Sequence, residues 1–356
     1  MHAEIASGVR AAFETIFVHG GYVNGDEVTA FEQAFARFTG MAYCVGVASG
    51  TDAVELALRA AGIGSGDEVL VPVNTFHATA AAVVRAGATP VFVDCEPDYL
   101  LLDVTQAQER AGPRTGAVLP VHLYGQMVAL EQLASLAGRG VQIVEDAAQA
   151  HGATRFGQAP GSVGCAAAWS FYPGKNLGAY GDAGAVVTRD AGLAAKTRRL
   201  GNYGAVARDD HATVGFNSRL DTLQAVVLAA KLARITVWNE KRRQAAAVYD
   251  ILFSGCSEVV LPKCMPGNEH VYHQYVVRVP ERDRILNSLR GQAIQAAVHY
   301  PNPLHLQEAF GWLGHGPGDF PVAEQAAREI LSLPLFPHIT REQQERVHRA
   351  MMDVLG

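Results

Sequence analysis

Short apolar runs alternate with Ala- and Leu-rich helical stretches through the first two-thirds of the chain, and this alternation constrains the fold most. Residues 43–47, 68–72, 90–93, 117–121 and 141–145 read as strands. Between them, residues 26–38, 52–61, 77–86 and 128–137 carry helical spacing, with Val28, Phe31, Phe35 and Phe38 on one face of the first. Strands that alternate with helices predict βαβ units, so a mostly parallel mixed sheet flanked by helices is expected. Ligands of such sheets collect at the carboxyl ends of the strands, and the turns after strands are where chemistry is sought.

A long helical pattern over 220–253 follows, with Leu223, Val227, Leu232, Ile235 and Trp238 among its apolar positions. Residues 259–261 and 272–279 then read as strands and 284–293 as a helix. The expected organisation is a large α/β domain over 1–236 and a smaller C-terminal α+β domain over 237–356. The 356 residues are 49% hydrophobic, which excludes a disordered chain. A net charge of −6, with no basic stripe, argues against nucleic acid as partner. No run approaches the ~18 apolar residues of a membrane span. Glu4 sits where a signal peptide would be cationic. Cys44, Cys95, Cys165, Cys256 and Cys264 are odd in number and show no Cys-x-x-Cys pair, so a reducing, cytoplasmic setting is expected.

Several segments invite chemistry, each beside a plainer reading. Gly62, Gly64 and Gly66 fail the dinucleotide fingerprint, because Asp67 takes the third glycine's place and a strand follows. A helix-ending turn is the better reading. Ser49-Gly50-Thr51 opens a helix after a strand, where backbone N–H groups favour an anion; taken alone, a simple N-cap is the better explanation. Asp146 ends an apolar strand and faces either a ligand or its own turn, with Gln149 three residues on. Lys175 stands alone in a glycine-rich loop bounded by aromatics, FYPGKNLGAYGDAG. A lysine withdrawn from water has a lowered pKa that suits Schiff-base chemistry; contact with a helix C-terminus is the alternative. His270 and His273 form His-x-x-His, but no further ligand pattern accompanies them, and no metal site is expected.

In chain order, the segments ASGTDAVELAL, GDEVLVPVNTFHATAAAV, GATPVFVD, PVHLYGQ, VEDAAQAHGA, WSFYPGKNLGAYGDAGAVVT, LGNYG, GFNSRLDTLQA and VHYPNPLHLQ resemble the fold-type-I pyridoxal-phosphate enzymes. Within these the chain looks like the DegT-type sugar-nucleotide aminotransferases, from about Gly21 to the C-terminus. FYPGKNLGAYGDAGA resembles the branch that acts on nucleotide-linked 3-keto-6-deoxyhexoses.

The resemblance implies pyridoxal 5′-phosphate, passing through its amino (PMP) form, with Lys175 as the Schiff-base lysine and proton carrier. Asp146 would pair with the pyridine nitrogen. Gln149 would meet the phenolic oxygen, and Phe76 would stack on the ring, with His77 as its alternative. Gly50, Thr51 and Ser170 match the phosphate cradle. Asn217 matches a residue that reaches the neighbouring subunit's phosphate, which implies a homodimer with a shared site. The implied reaction moves an amino group from glutamate to a dTDP-linked keto sugar. Tyr172, His299, Tyr300 and His305 are candidates for sugar or diphosphate contacts. Ala183 departs from the family's more frequent glycine, and its methyl is expected to narrow the pocket. Two alternatives remain at this point. One is a sugar-nucleotide dehydratase of the same fold, in which histidine replaces the lysine. The other is a non-catalytic regulatory protein.

Overall fold

The computed structural model describes residues 1–355. Seven strands form one sheet: β1 (Tyr43–Val47), β2 (Glu68–Pro72), β3 (Thr89–Val93), β4 (Thr115–Val118), β5 (Gln142–Asp146), β6 (Ala166–Ser170) and β7 (Gly184–Thr188). Their spatial order is β1-β7-β6-β5-β4-β2-β3. Every pair from β3 to β6 is parallel, and β7 runs against both β6 and β1. The sheet is thus mostly parallel, as the alternation predicts. Helices cover both faces, so strands such as β7 are buried along their whole length and read as unbroken apolar runs.

Helices α1 (Ala6–His19), α2 (Asp26–Thr39), α3 (Gly50–Ala60) and α4 (His77–Ala86) come first. Phe31 and Phe35 of α2 are fully buried, and Phe35 meets Trp169 and Phe171 edge-on at 5.3 and 5.1 Å. Such pairs add to the area burial of large rings. Gly40, at φ 69°, caps α2 with a bond to Ala36 O, a backbone state that favours glycine. Gly62 and Gly66 also take positive φ, and Gly64 N donates to Asp67 Oδ2 at 2.9 Å. This is the helix-ending turn expected in place of a fingerprint.

Four expected elements differ. The stretch 220–253 is two helices, Thr222–Leu232 and Ile235–Leu252, broken at Ala233 and Arg234. The first packs on α1 and α2, the second on the terminal helix Arg341–Leu355. Each buries its own face, so apolar spacing persists across a change of direction. Residues 128–137 begin as a 3-10 turn, Leu130–Leu133, before the single helical turn Ala134–Ala137. Of 259–261, only Val260 pairs, with Arg278. The strand expected at 272–279 shortens to Tyr275–Arg278, which pairs antiparallel with Ile330–Leu333, a strand the sequence reading passes over.

That strand pair, with Tyr249, Phe253, Leu289 and Met351, forms a second core. The main core also takes in Val271, Leu304, Phe310 and Phe320 from beyond position 237. Among the described residues, no helix is long and apolar enough to cross a membrane.

Gly184 opens β7 where the chain passes closest to β1. A Cβ there would lie 2.3 Å from Ser49 O and 2.8 Å from Trp169 O. Overpacking against backbone costs about 1–3 kcal/mol. Gly184→Ala is expected to lower the unfolding free energy by that amount, read as a lower urea midpoint at unchanged m value.

Candidate active site

Parallel pairing gathers the ends of β1, β2, β5 and β6 at one edge of the sheet. Ser49, Thr75, Phe76, Asp146 and Ser170 all lie at or just beyond those ends. A cavity of about 590 Å³ opens there, and it brings together Gly50, Thr51, Phe76, Asp146, Gln149, Ser170, Tyr172, Lys175, His299 and Tyr300. Ten of the twelve expected site residues therefore share one space.

Asp146 answers both of its possible readings. Its Oδ1 accepts from Ala148 N at 3.1 Å and so caps the turn. Its Oδ2 accepts from Thr79 Oγ1 at 2.8 Å, and Thr79 is braced by Thr75 at 3.1 Å. The carboxylate is buried yet borders the cavity. Gln149 is fixed from both ends. Its Oε1 accepts from Tyr124 N at 2.7 Å and its Nε2 donates to Tyr300 Oη at 3.2 Å. Tyr300 in turn lies 5.2 Å from the exposed ring of Phe76.

On the cavity's other side, α3 begins at Gly50. Ser49 is its N-cap and accepts from Asp52 N at 3.1 Å. The next N–H groups face outward with the positive end of the helix dipole, an arrangement that suits an anion. The helix start presses against β6, where a Cβ on Gly50 would stand 2.4 Å from Ser170 Cβ. The Gly50, Thr51 and Ser170 groups thus converge because no side chain separates them.

Lys175 has no hydrogen-bonded or ion-paired partner for Nζ among the described residues, so it donates to no carbonyl at a helix end. Burial lowers its pKa to about 8, against a smaller upward pull from Asp146. An amine poised in this way is a nucleophile near neutral pH. Its field, added to burial, also lowers the pKa of His299.

Two expected residues lie elsewhere. His305 is sealed away from the cavity and bonded to Glu324 at 3.1 Å, with its ring on Phe320 at 4.7 Å. The carboxylate and the phenyl ring together account for its burial. Asn217 is exposed outside the cavity and accepts from Arg219 at 2.8 Å. His77 also turns away, toward Gln307 and Phe310. Ala183 is buried in the main core and does not border the cavity, so its methyl does not narrow it. Sequence reasoning missed Thr79, Tyr124 and the site placement of His273. The His-x-x-His spacing did single out His273, and the helical context of Thr79, three residues past Phe76, was the available signal.

The model of the DegT/DnrJ/EryC1/StrS aminotransferase family matches residues 4–352. The chain belongs to this family. A dTDP-3-amino-3,4,6-trideoxy-alpha-D-glucose transaminase of Streptomyces venezuelae is 44% identical over 353 residues, covering 99% of this chain and 93% of the relative. A pleiotropic regulatory protein of Geobacillus stearothermophilus is 45% identical over 329 residues, covering 92% and 88%. The crystal structure of S. venezuelae DesV in complex with a ketimine intermediate superposes with a TM-score of 0.96, at 44% identity, covering 99% of this chain and 95% of that one. The protein is a fold-type-I, pyridoxal-phosphate-dependent aminotransferase.

The lowered Lys175 pKa has a direct consequence. The neutral amine dominates above about pH 8, well below an ordinary lysine. Reductive methylation of the cofactor-free protein, followed residue by residue with mass spectrometry, is expected to show Lys175 reacting with a midpoint near pH 8. Because Asp146 pulls that pKa upward, Asp146→Asn is expected to move the midpoint further down.

Proposed function

We propose that the chain transfers an amino group from glutamate to a nucleotide-linked keto sugar, and that a dTDP-linked 3-keto-6-deoxyhexose is its substrate. The observation that carries this reading is the meeting of Lys175, Asp146 and Gln149 in one cavity at the strand ends. The transaminase name and near-complete coverage of the Streptomyces relative support the sugar class.

When bound, pyridoxal phosphate supplies an aldehyde and an electron-withdrawing ring. The residues present fit it. Lys175 supplies the amine, lowered by burial so that a neutral fraction exists at working pH. When it is not covalently engaged, the same amine would carry a proton to or from the substrate carbon. Asp146, oriented by Thr79 and Ala148 N, holds a proton on the ring nitrogen. Gln149 gives one Nε2 hydrogen to Tyr300 and keeps the other for the phenolic oxygen. Phe76 stacks on the ring. The α3 start with Gly50, Thr51 and Ser170 takes the phosphate.

Tyr172, His299 and Tyr300, on the cavity rim, contact the sugar or diphosphate, and His305 drops out of that set. Asn217, exposed on its own chain, completes a second copy's phosphate site, so the working unit is a homodimer. The division into a large domain over 1–236 and a smaller one over 237–356 is supported by the second core, although part of the later segment also packs into the main core.

The test is incubation of the cofactor-loaded enzyme with glutamate and a panel of dTDP- and UDP-linked keto sugars, with products identified by mass spectrometry. An amino sugar together with 2-oxoglutarate is expected, and a deoxygenated sugar without nitrogen would sink the proposal. Lys175→Ala is expected to abolish both turnover and the long-wavelength absorbance of the bound cofactor. Asn217→Ala is expected to weaken cofactor retention, as measured by dialysis and absorbance.

A further inference from the structure

Asn217 is exposed, but the residue after it is buried, and the hydroxyl of that residue, Ser218, is used in both directions. Its Oγ accepts from Ala48 N at 3.1 Å and donates to Asp52 Oδ2 at 2.9 Å. Ala48 directly precedes the N-cap of α3. Asp52 lies in the first turn of that helix, and its own N–H donates to Ser49 Oγ at 3.1 Å. The other carboxylate oxygen, Asp52 Oδ1, accepts from Arg85 at 2.9 Å. Ser218 N donates to Gly201 O at 2.8 Å, and Asn217 itself bridges to Asn202. One buried hydroxyl therefore fastens the Asn217 segment to the start of α3.

The amide of Asn217 is oriented as well. Arg219 Nη2 donates to Asn217 Oδ1 at 2.8 Å, and Nη1 donates to Asn202 Oδ1 at 3.2 Å. The guanidinium lies over the ring of Tyr203, 5.3 Å from its centre. A guanidinium can only donate, so it takes the oxygen end of the amide. The end left over is Nδ2, a pair of N–H donors of the kind a phosphate oxygen accepts from.

We propose that Ser218 is a positioning residue for two sites at once. Through Ala48 and Asp52 it braces the α3 start of its own subunit, and through the peptide chain it holds Asn217 for the phosphate site of a second copy. The proposal rests on Asn217 serving a second copy, as read above. An exposed side chain that binds must give up conformational freedom, and a locked neighbour lowers that cost. Without the hydroxyl, Ala48 N and Asp52 Oδ2 each lose a partner, and the segment is left with its backbone bonds. A serine that only supported its own fold would act on its own subunit, whereas this one acts across the interface.

The test uses mixed dimers of two differently tagged full-length copies, one of them carrying Lys175→Ala. Pyridoxal phosphate is titrated in and trapped with borohydride, and the adduct is counted by intact mass on the lysine-bearing copy alone. The phosphate site of that copy receives Asn217 from the other. Ser218→Ala on the Lys175→Ala copy is expected to raise the half-saturating cofactor concentration at the intact lysine roughly fivefold, the worth of one hydrogen bond. Asp52→Ala on the same copy removes the acceptor of that hydroxyl and is expected to do likewise. The two substitutions together are expected to weaken binding little more than either alone. Where Ser218→Ala fails to assemble into dimers, Asp52→Ala decides by itself.

No change at the intact site, or full multiplication of the two effects, overturns the proposal. A loss seen only when Ser218→Ala sits on the lysine-bearing copy overturns it too, because the serine then braces only its own helix start. Asn217→Ala in the same two arrangements separates the layers. If it acts on its own copy or on neither, the shared-site reading falls and the proposal with it. If it acts across the interface while Ser218→Ala does not, the proposal alone falls.

Discussion

Six strands running the same way put their carboxyl ends in a row, and the chemistry of this molecule hangs on that row. Parallel pairing needs a crossover for each strand, and each crossover begins with a loop at the same edge. Asp146, Ser170, Ser49 and Thr75 stand at or just beyond the ends of four different strands, yet they meet around one cavity. None of them needs a long excursion to arrive there. The Phe31, Phe35, Trp169 and Phe171 cluster beneath holds α2 against the sheet and so keeps the edge rigid.

Charge in the cavity is arranged by burial and partnership together. Asp146 keeps both oxygens bonded, whereas Lys175 is left without a partner among the described residues and its pKa is lowered by burial. An ion pair between the two would have quenched both. The structure keeps them near enough for Asp146 to influence the lysine but outside ion-pair contact. The surrounding histidines, His151, His273 and His299, are all pushed toward the neutral form by burial and by the lysine. The amine therefore works among uncharged rings.

Much of this was legible in the chain. Strand ends announced themselves because parallel strands buried on both faces are continuous apolar runs, and β2 and α4 were placed to the residue. Lys175, Asp146 and Gln149 were visible because polar residues at the ends of such runs have few structural reasons to be there. The family resemblance supplied roles that spacing alone left open. Three kinds of feature were not legible. The break at Ala233 hides because apolar spacing survives a change of packing partner. The burial of His305 depends on Glu324, nineteen residues on, and the exposure of Asn217 depends on the turn of its own loop. The bond from Ser218 to Asp52 joins residues 166 apart, which no local pattern encodes.

Among the seven strands of the sheet, β7 alone is reversed. Because β7 returns beside β6, the loop that bears Lys175 leaves and re-enters the sheet at neighbouring positions, Ser170 and Gly184. Its exit strand then pairs with β1, whose end carries Ser49. A single tether therefore ties the loop of the amine to the chain segment that leads into the start of α3. Lengthening that tether would detune both anchor points together, so drift toward new sugars has freer room in the rim residues than in this hairpin.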